Sequence, residues 1–152
     1  MRLRPRMAAR RGAALVEAGI VLPVLITLVI GMIDLGLAVS RSQMVAQAAR
    51  EVSRLAMVRG SLAPSAMGSW GPSTYGPAAA NSSDAIAQKA APRLAGLNAA
   101  DVTLKLEWPD GNNQEESRVR VTVTTTYKPM LTAVFGGTPI SLSSTSTVRI
   151  TH

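Results

Sequence analysis

The amino-acid sequence predicts an α+β chain: a long N-terminal transmembrane helix that runs on into a small domain with a short helix and an antiparallel sheet. Three observations carry that prediction. An uncharged apolar run, AGIVLPVLITLVIGMI, occupies Ala18–Ile33. A helical repeat of apolar residues follows and persists to Gly60. Beyond residue 100 the apolar positions change from helical spacing to alternation. The chain accordingly divides into a basic cytoplasmic leader (1–12), a transmembrane and juxtamembrane helix (13–59), a Gly/Pro/Ser-rich loop (60–83) and an extracytoplasmic α+β domain (84–152).

The leader accounts for most of the charge. The net charge of +7 would ordinarily raise nucleic acid as a partner, but Arg2, Arg4, Arg6, Arg10 and Arg11 all precede the apolar run. Without them the balance is about +2, so the basicity reads as a topology signal and no nucleic acid is expected. By the positive-inside rule the N-terminus lies in the cytoplasm and residues beyond about 40 face outward.

Extended to Val39, the apolar run gives about 22 residues and roughly 33 Å of helix, against a hydrocarbon core near 30 Å. About ten Leu, Ile and Val side chains favour insertion by roughly 0.3–0.6 kcal/mol each. They outweigh Asp34, the one carboxylate of that stretch, which lies toward its outer end. Pro23 and Gly31 are tolerated in a spanning helix, and Ala14/Ala18 and Gly36/Ser40 are small-xxx-small pairs suited to close helix approach. A cleaved signal peptide ending at Ala38-Val39-Ser40 is the competing reading; the length of the run and the position of Asp34 oppose it. Arg10-Arg11 lacks the remainder of a twin-arginine signal.

Past the span, Val45, Ala48, Ala49, Val52, Leu55 and Ala56 share one helical face, with Gln43, Gln47, Arg50 and Arg54 on the other. Gly60 supplies a stop, and Arg59 suits the helix C-terminus.

Three segments in order, RGAALVE from Arg11 with Leu22-Pro23, then GMIDLG from Gly31, then AAREVSR from Ala48, resemble the TadE-like family, pseudopilin-like components of tight-adherence (Flp-type) pilus assembly systems. The resemblance covers about 45 residues. It implies that a prepilin peptidase cuts after Gly12, leaving Ala13 as the new N-terminus and Glu17 as the fifth mature residue, where pilin-like proteins carry a glutamate. An aromatic residue often follows that glutamate in the family; here Ala18 does. A neighbouring subunit's free amine is a natural partner for Glu17, because a carboxylate at the start of an apolar helix is costly unless paired. The alternative places Glu17 in the headgroup region beside Arg10 and Arg11. Asp34 is the second assembly candidate, paired with a partner helix or a neighbour's basic residue, or else a carboxylate at the outer interface near Arg41. Implied partners are the membrane, other pseudopilins or pilus subunits, the peptidase and secretion platform proteins; the implied location is the bacterial inner membrane.

Residues 60–83 read as a flexible excursion, with Trp70 and Tyr75 as candidates to pin it onto its own domain. Asp84 to Leu97 predicts a short helix capped by Ser83, with a kink or second start at Pro92. Val102, Leu104, Leu106 and Trp108 alternate with polar residues, Pro109–Asn113 marks a turn, and Val119, Val121, Val123, Thr125 and Tyr127 form the buried series of a second strand. A loop with Pro129, Gly136, Gly137 and Pro139 leads to a third strand from Ile140 to Thr151. A sheet of three or more strands follows, one face on the helices and one solvated.

No catalytic chemistry is legible. The chain has no cysteine, and its one histidine is His152, so thiolate and histidine sites, metal or catalytic, are not expected. Asp110, Glu115 and Glu116 read as a solvated acidic turn. The chain is therefore expected to be a non-enzymatic pilus assembly component without cofactors, the alternative being a signal-anchored envelope protein or binding module unrelated to pili.

Overall fold

A computed structural model describes residues 6–94 and 96–151. Residues 1–5 of the basic leader and His152 lie outside the described residues. The elements are α1 (Arg6–Met57), β1 (Tyr75–Ala79), α2 (Ala85–Ala90), β2 (Val102–Glu107), β3 (Arg118–Tyr127), α3 (Met130–Phe135) and β4 (Ile140–Arg149). Two 3-10 turns, Ala91–Arg93 and Ala99–Asp101, join α2 to β2.

Helix α1 is 52 residues long, or about 78 Å at 1.5 Å per residue. Its segment Ala14–Met57 contains a window long and apolar enough to cross a membrane, and only 6% of that window is buried. A core helix of a soluble domain would be covered. Here Leu15, Ile20, Val24, Met32 and Leu35 are all more than half exposed. Pro23 does not end the helix, and the Thr27 hydroxyl donates to the Pro23 carbonyl at 2.8 Å.

The last turns of α1 carry the domain. Val45, Ala48, Ala49, Val52 and Ala56 are buried, and Leu55 packs against them, as the helical spacing requires. Gln43, Gln47, Arg50 and Arg54 are exposed. The buried face lies over a four-stranded sheet in the order β1-β2-β3-β4, with every neighbouring pair antiparallel. Alternation fixes the two faces of the sheet: Val102, Leu104, Leu106, Val119, Val121, Val123 and Tyr127 point inward, while Thr103, Arg118 and Arg120 point to solvent. The small residues of α1 bring the helix close to edge strand β4, where the Ser53 and Ser146 hydroxyls lie 2.9 Å apart.

Three local expectations need correction. Residues 60–83 are not wholly loop, because β1 lies among them and pairs with β2. Its YGPAA sequence hides a strand: Pro77 cannot donate to a ladder, and the register slips between Tyr75 and Ala78. Gly76, at φ +80°, lies so near the Leu104 carbonyl that no Cβ would fit. The excursion is also pinned. Trp70 is buried, Arg59 stacks 4.8 Å from its ring centroid, and the Met67 carbonyl accepts from both Arg59 and Lys89. Arg59 therefore serves the loop, and Arg54 is the basic residue of the last helical turn.

Second, Asp84 and not Ser83 occupies the N-cap of α2, with extended backbone and no side-chain cap. Its carboxylate is engaged elsewhere, accepting from Tyr75 Oη at 3.1 Å and Ser82 Oγ at 3.0 Å. Pro92 does start a new helical turn, the first of the two 3-10 segments. Third, the Pro- and Gly-rich connection from β3 to β4 contains a helix, α3.

Candidate functional site

The site begins with a shortage of acceptors. Helix α3 starts after Pro129, whose side chain offers no oxygen to the free N–H groups of the first turn. Asp34, almost a hundred residues earlier in the chain, supplies two. Its Oδ1 accepts from the Met130 N–H at 2.8 Å and its Oδ2 from the Leu131 N–H at 2.9 Å. The Tyr127 hydroxyl donates to Oδ1 at 3.2 Å and approaches the Asp34 carbonyl at 3.3 Å. Burial, reinforced by the adjacent carboxylate, pushes the Tyr127 pKa up, so the phenol stays a donor. Asp34 thus acts as an N-cap delivered from another element.

The face on which Asp34 sits explains why this is possible. Thr27, Gly31, Asp34, Ala38, Arg41 and Val45 follow one another at three- and four-residue steps, and each is at least half-covered. That line joins the domain-packed face of α1 without interruption. Asp34 itself is only 6% exposed, although Met32, Ile33 and Leu35 around the same turn are 65%, 51% and 69% exposed. The carboxylate faces the domain, and the apolar side chains face away from it. Helix α3 reaches α1 at Gly31, where a Cβ would stand in ordinary contact with Leu131 Cδ1 at 3.5 Å.

The other expected site residues lie far from this cluster. Glu17 is exposed on an apolar part of α1, about 26 Å along the helix from Asp34. Gly12 is exposed, with open space around it, and Ala13 follows within the same helix. The structure brings none of these three to Asp34. Among the described residues, no cluster of three or more His, Cys, Asp or Glu side chains could hold a metal ion.

Sequence reasoning placed Asp34 at the outer end of the span but missed its partners. Tyr127 read only as the last buried residue of a strand. The one available signal was Pro129 followed by the uncharged MLTAVF, a helix start that lacks a cap of its own.

Neither the curated proteins nor the solved structures compared with the chain match it. A family model does match: residues 12–54 fit the model described as TadE-like protein, from Gly12 through Glu17 and Asp34 to the domain-packed turns of α1. That match lies within α1 and leaves the sheet domain outside it; the helix is similar to the family that its motifs resemble.

Proposed function

We propose that the chain is a pseudopilin-like component in the biogenesis of a tight-adherence pilus. It is held in the bacterial inner membrane by α1 with its sheet domain on the extracytoplasmic side, and it acts through helix and domain contacts and performs no catalysis. The observation that carries this reading is the extent of the family match, which covers the exposed apolar half of α1 together with the half that bears the domain. A spanning helix alone would be weak support, since signal sequences share its composition.

In this reading a prepilin peptidase cuts between Gly12 and Ala13. Open space around Gly12 and the exposure of the following helix suit access by an enzyme. Glu17 then stands near the new N-terminus and pairs with the amine of a neighbouring pseudopilin, which removes the cost of a carboxylate among apolar side chains. Asp34 contributes by fixing the domain on its own anchor, so that neighbouring subunits and the secretion platform meet one rigid unit.

The test is the mature N-terminus of protein recovered from membranes of the native host, read by intact mass and N-terminal sequencing. A start at Ala13 is expected. Retention of residues 1–12 would remove processing from the reading, and a start near Arg41 would remove the anchor as well.

A further inference from the structure

We propose that α3 and the chain flanking it form a second membrane-contacting element, seated beside the anchor in the domain-side leaflet, with lipid acyl chains as its partner. The inference rests on α1 spanning the membrane and goes beyond it, because nothing in a single-span anchor requires the domain to enter the bilayer.

Depth is the first argument. Asp34 is the first charge after the uncharged run that begins at Ala18. Leu131 reaches Gly31, about 4.5 Å farther toward the N-terminus of α1 than Asp34. Part of α3 therefore lies alongside a stretch of α1 that is apolar around its remaining circumference. At this level Met32 and Ile33 are uncovered by protein, and α3 adds Met130, 57% exposed, to the same surface. Ile140, 46% exposed, extends it at the start of β4. If α1 crosses a bilayer, this surface is continuous with the one that meets acyl chains.

Backbone satisfaction is the second argument. A connection between strands can enter hydrocarbon only if its polar backbone groups find partners in the protein. The first two N–H groups of α3 are held by Asp34, and the Pro129 carbonyl accepts from the Thr132 amide at 3.1 Å and its hydroxyl at 2.7 Å. Charge is the third. MLTAVF carries none, while Lys128 precedes it and Arg41 stands two turns of α1 beyond Asp34. Two cations above an apolar element place it below the headgroups. Asp34 is then a positioning residue, holding α3 at this depth.

The chain has no cysteine, so single-cysteine variants of the full-length protein can carry an environment-sensitive fluorophore without further changes. M130C tests the proposal, L28C reports the span, and E115C, exposed at the opposite end of β3, reports water. Each is reconstituted into phosphatidylcholine–phosphatidylglycerol vesicles and quenched with aqueous iodide or with lipids spin-labelled at shallow or deep positions. Position 130 is expected to be shielded from iodide and quenched best by the shallow label. A position 130 that behaves like position 115, with position 28 in lipid, overturns the proposal and leaves the anchor standing. Iodide access at position 28 overturns both. Adding Asp34→Ala to M130C is expected to raise iodide quenching at 130 several-fold, with position 28 unchanged. No change at 130 would overturn the positioning role of Asp34.

Discussion

The two halves of α1 are one uninterrupted helix built for two different surroundings. Toward the N-terminus, Leu15 to Val39 shows apolar side chains around most of the circumference, and little of the protein covers them. Toward the C-terminus, apolar side chains retreat to one face, where Val45, Ala49 and Val52 are buried, and glutamine and arginine take the other. Helix propensity does not distinguish the halves; what each side chain contacts does. Changing an apolar or small side chain therefore has different consequences where the protein packs and where the helix stands uncovered, and two experiments exploit that difference.

The largest contrast sets a residue of the domain core against a residue of the span. Leu104 is fully buried in β2 and belongs to the same core cluster as the buried residues of the domain half of α1. Leu104→Ala leaves a cavity and should lower the stability of the domain by about 2–5 kcal/mol. Leu28 is 52% exposed, so Leu28→Ala should leave domain unfolding unchanged. Urea unfolding of the detergent-solubilised protein, followed by Trp fluorescence, measures both. Equal losses would mean that the span also packs against the domain.

Enlarging small residues sharpens the comparison. Ala49 has no exposed surface against the sheet, and Ala49→Leu should cost about 1–3 kcal/mol through overpacking. A Cβ at Gly36 would meet nothing within 4 Å, so Gly36→Leu should leave the domain unaffected in the same assay.

These contrasts also mark what the sequence made legible. The domain half of α1 could be read because a helix between sheet and water must segregate its residues. Strands β2 and β3 could be read for the same reason, and Val119, Val121 and Val123 are all buried as their alternation requires. Strand β1 escaped because Gly76 and Pro77 suit a turn by composition, and only the backbone of β2 makes the segment a strand. Helix α3 escaped because six residues between Pro129 and Gly136 are too few for a periodic signal. At the site, Asp34 was visible as an unusual carboxylate. Its partners were not, since hydrogen bonds to the Met130 and Leu131 backbone leave no trace in side-chain identity.

The third experiment addresses the point where the halves meet. Asp34→Ala removes both acceptors from the first turn of α3 and the side-chain acceptor of the Tyr127 hydroxyl, all outside the main core cluster. Amide exchange at Met130 and Leu131 should accelerate on the order of tenfold, while the amides of β2 and β3 keep their protection. Hydrogen–deuterium exchange resolved by peptide measures this directly. Uniform acceleration across the sheet would show instead that Asp34 supports the whole domain.

The smallest effect belongs to the end of the domain farthest from the anchor, where an ion pair stands in water. Asp110 closes the β2–β3 connection by accepting from the Arg118 guanidinium at 2.6 Å and from the Arg118 backbone N–H at 2.7 Å. Those bonds, the guanidinium first, hold the Asp110 carboxyl at about 2, below its ordinary 3.8. A carboxyl with a depressed folded pKa stabilises the fold above its unfolded value, and the contribution disappears as pH falls from about 4 through about 2. Glu107, lowered by its hydrogen bond from Lys105, titrates with the same sign, so the pH slope of the unmodified protein alone would not isolate Asp110. The difference between the protein and Asp110→Asn does. The variant should melt a few degrees lower at most near neutrality, as expected of a surface pair, and the gap should close as pH approaches 2. Thermal melts at graded pH test this, and a gap that persists at pH 2 would assign the effect to the turn's geometry, with the charge of Asp110 playing no part.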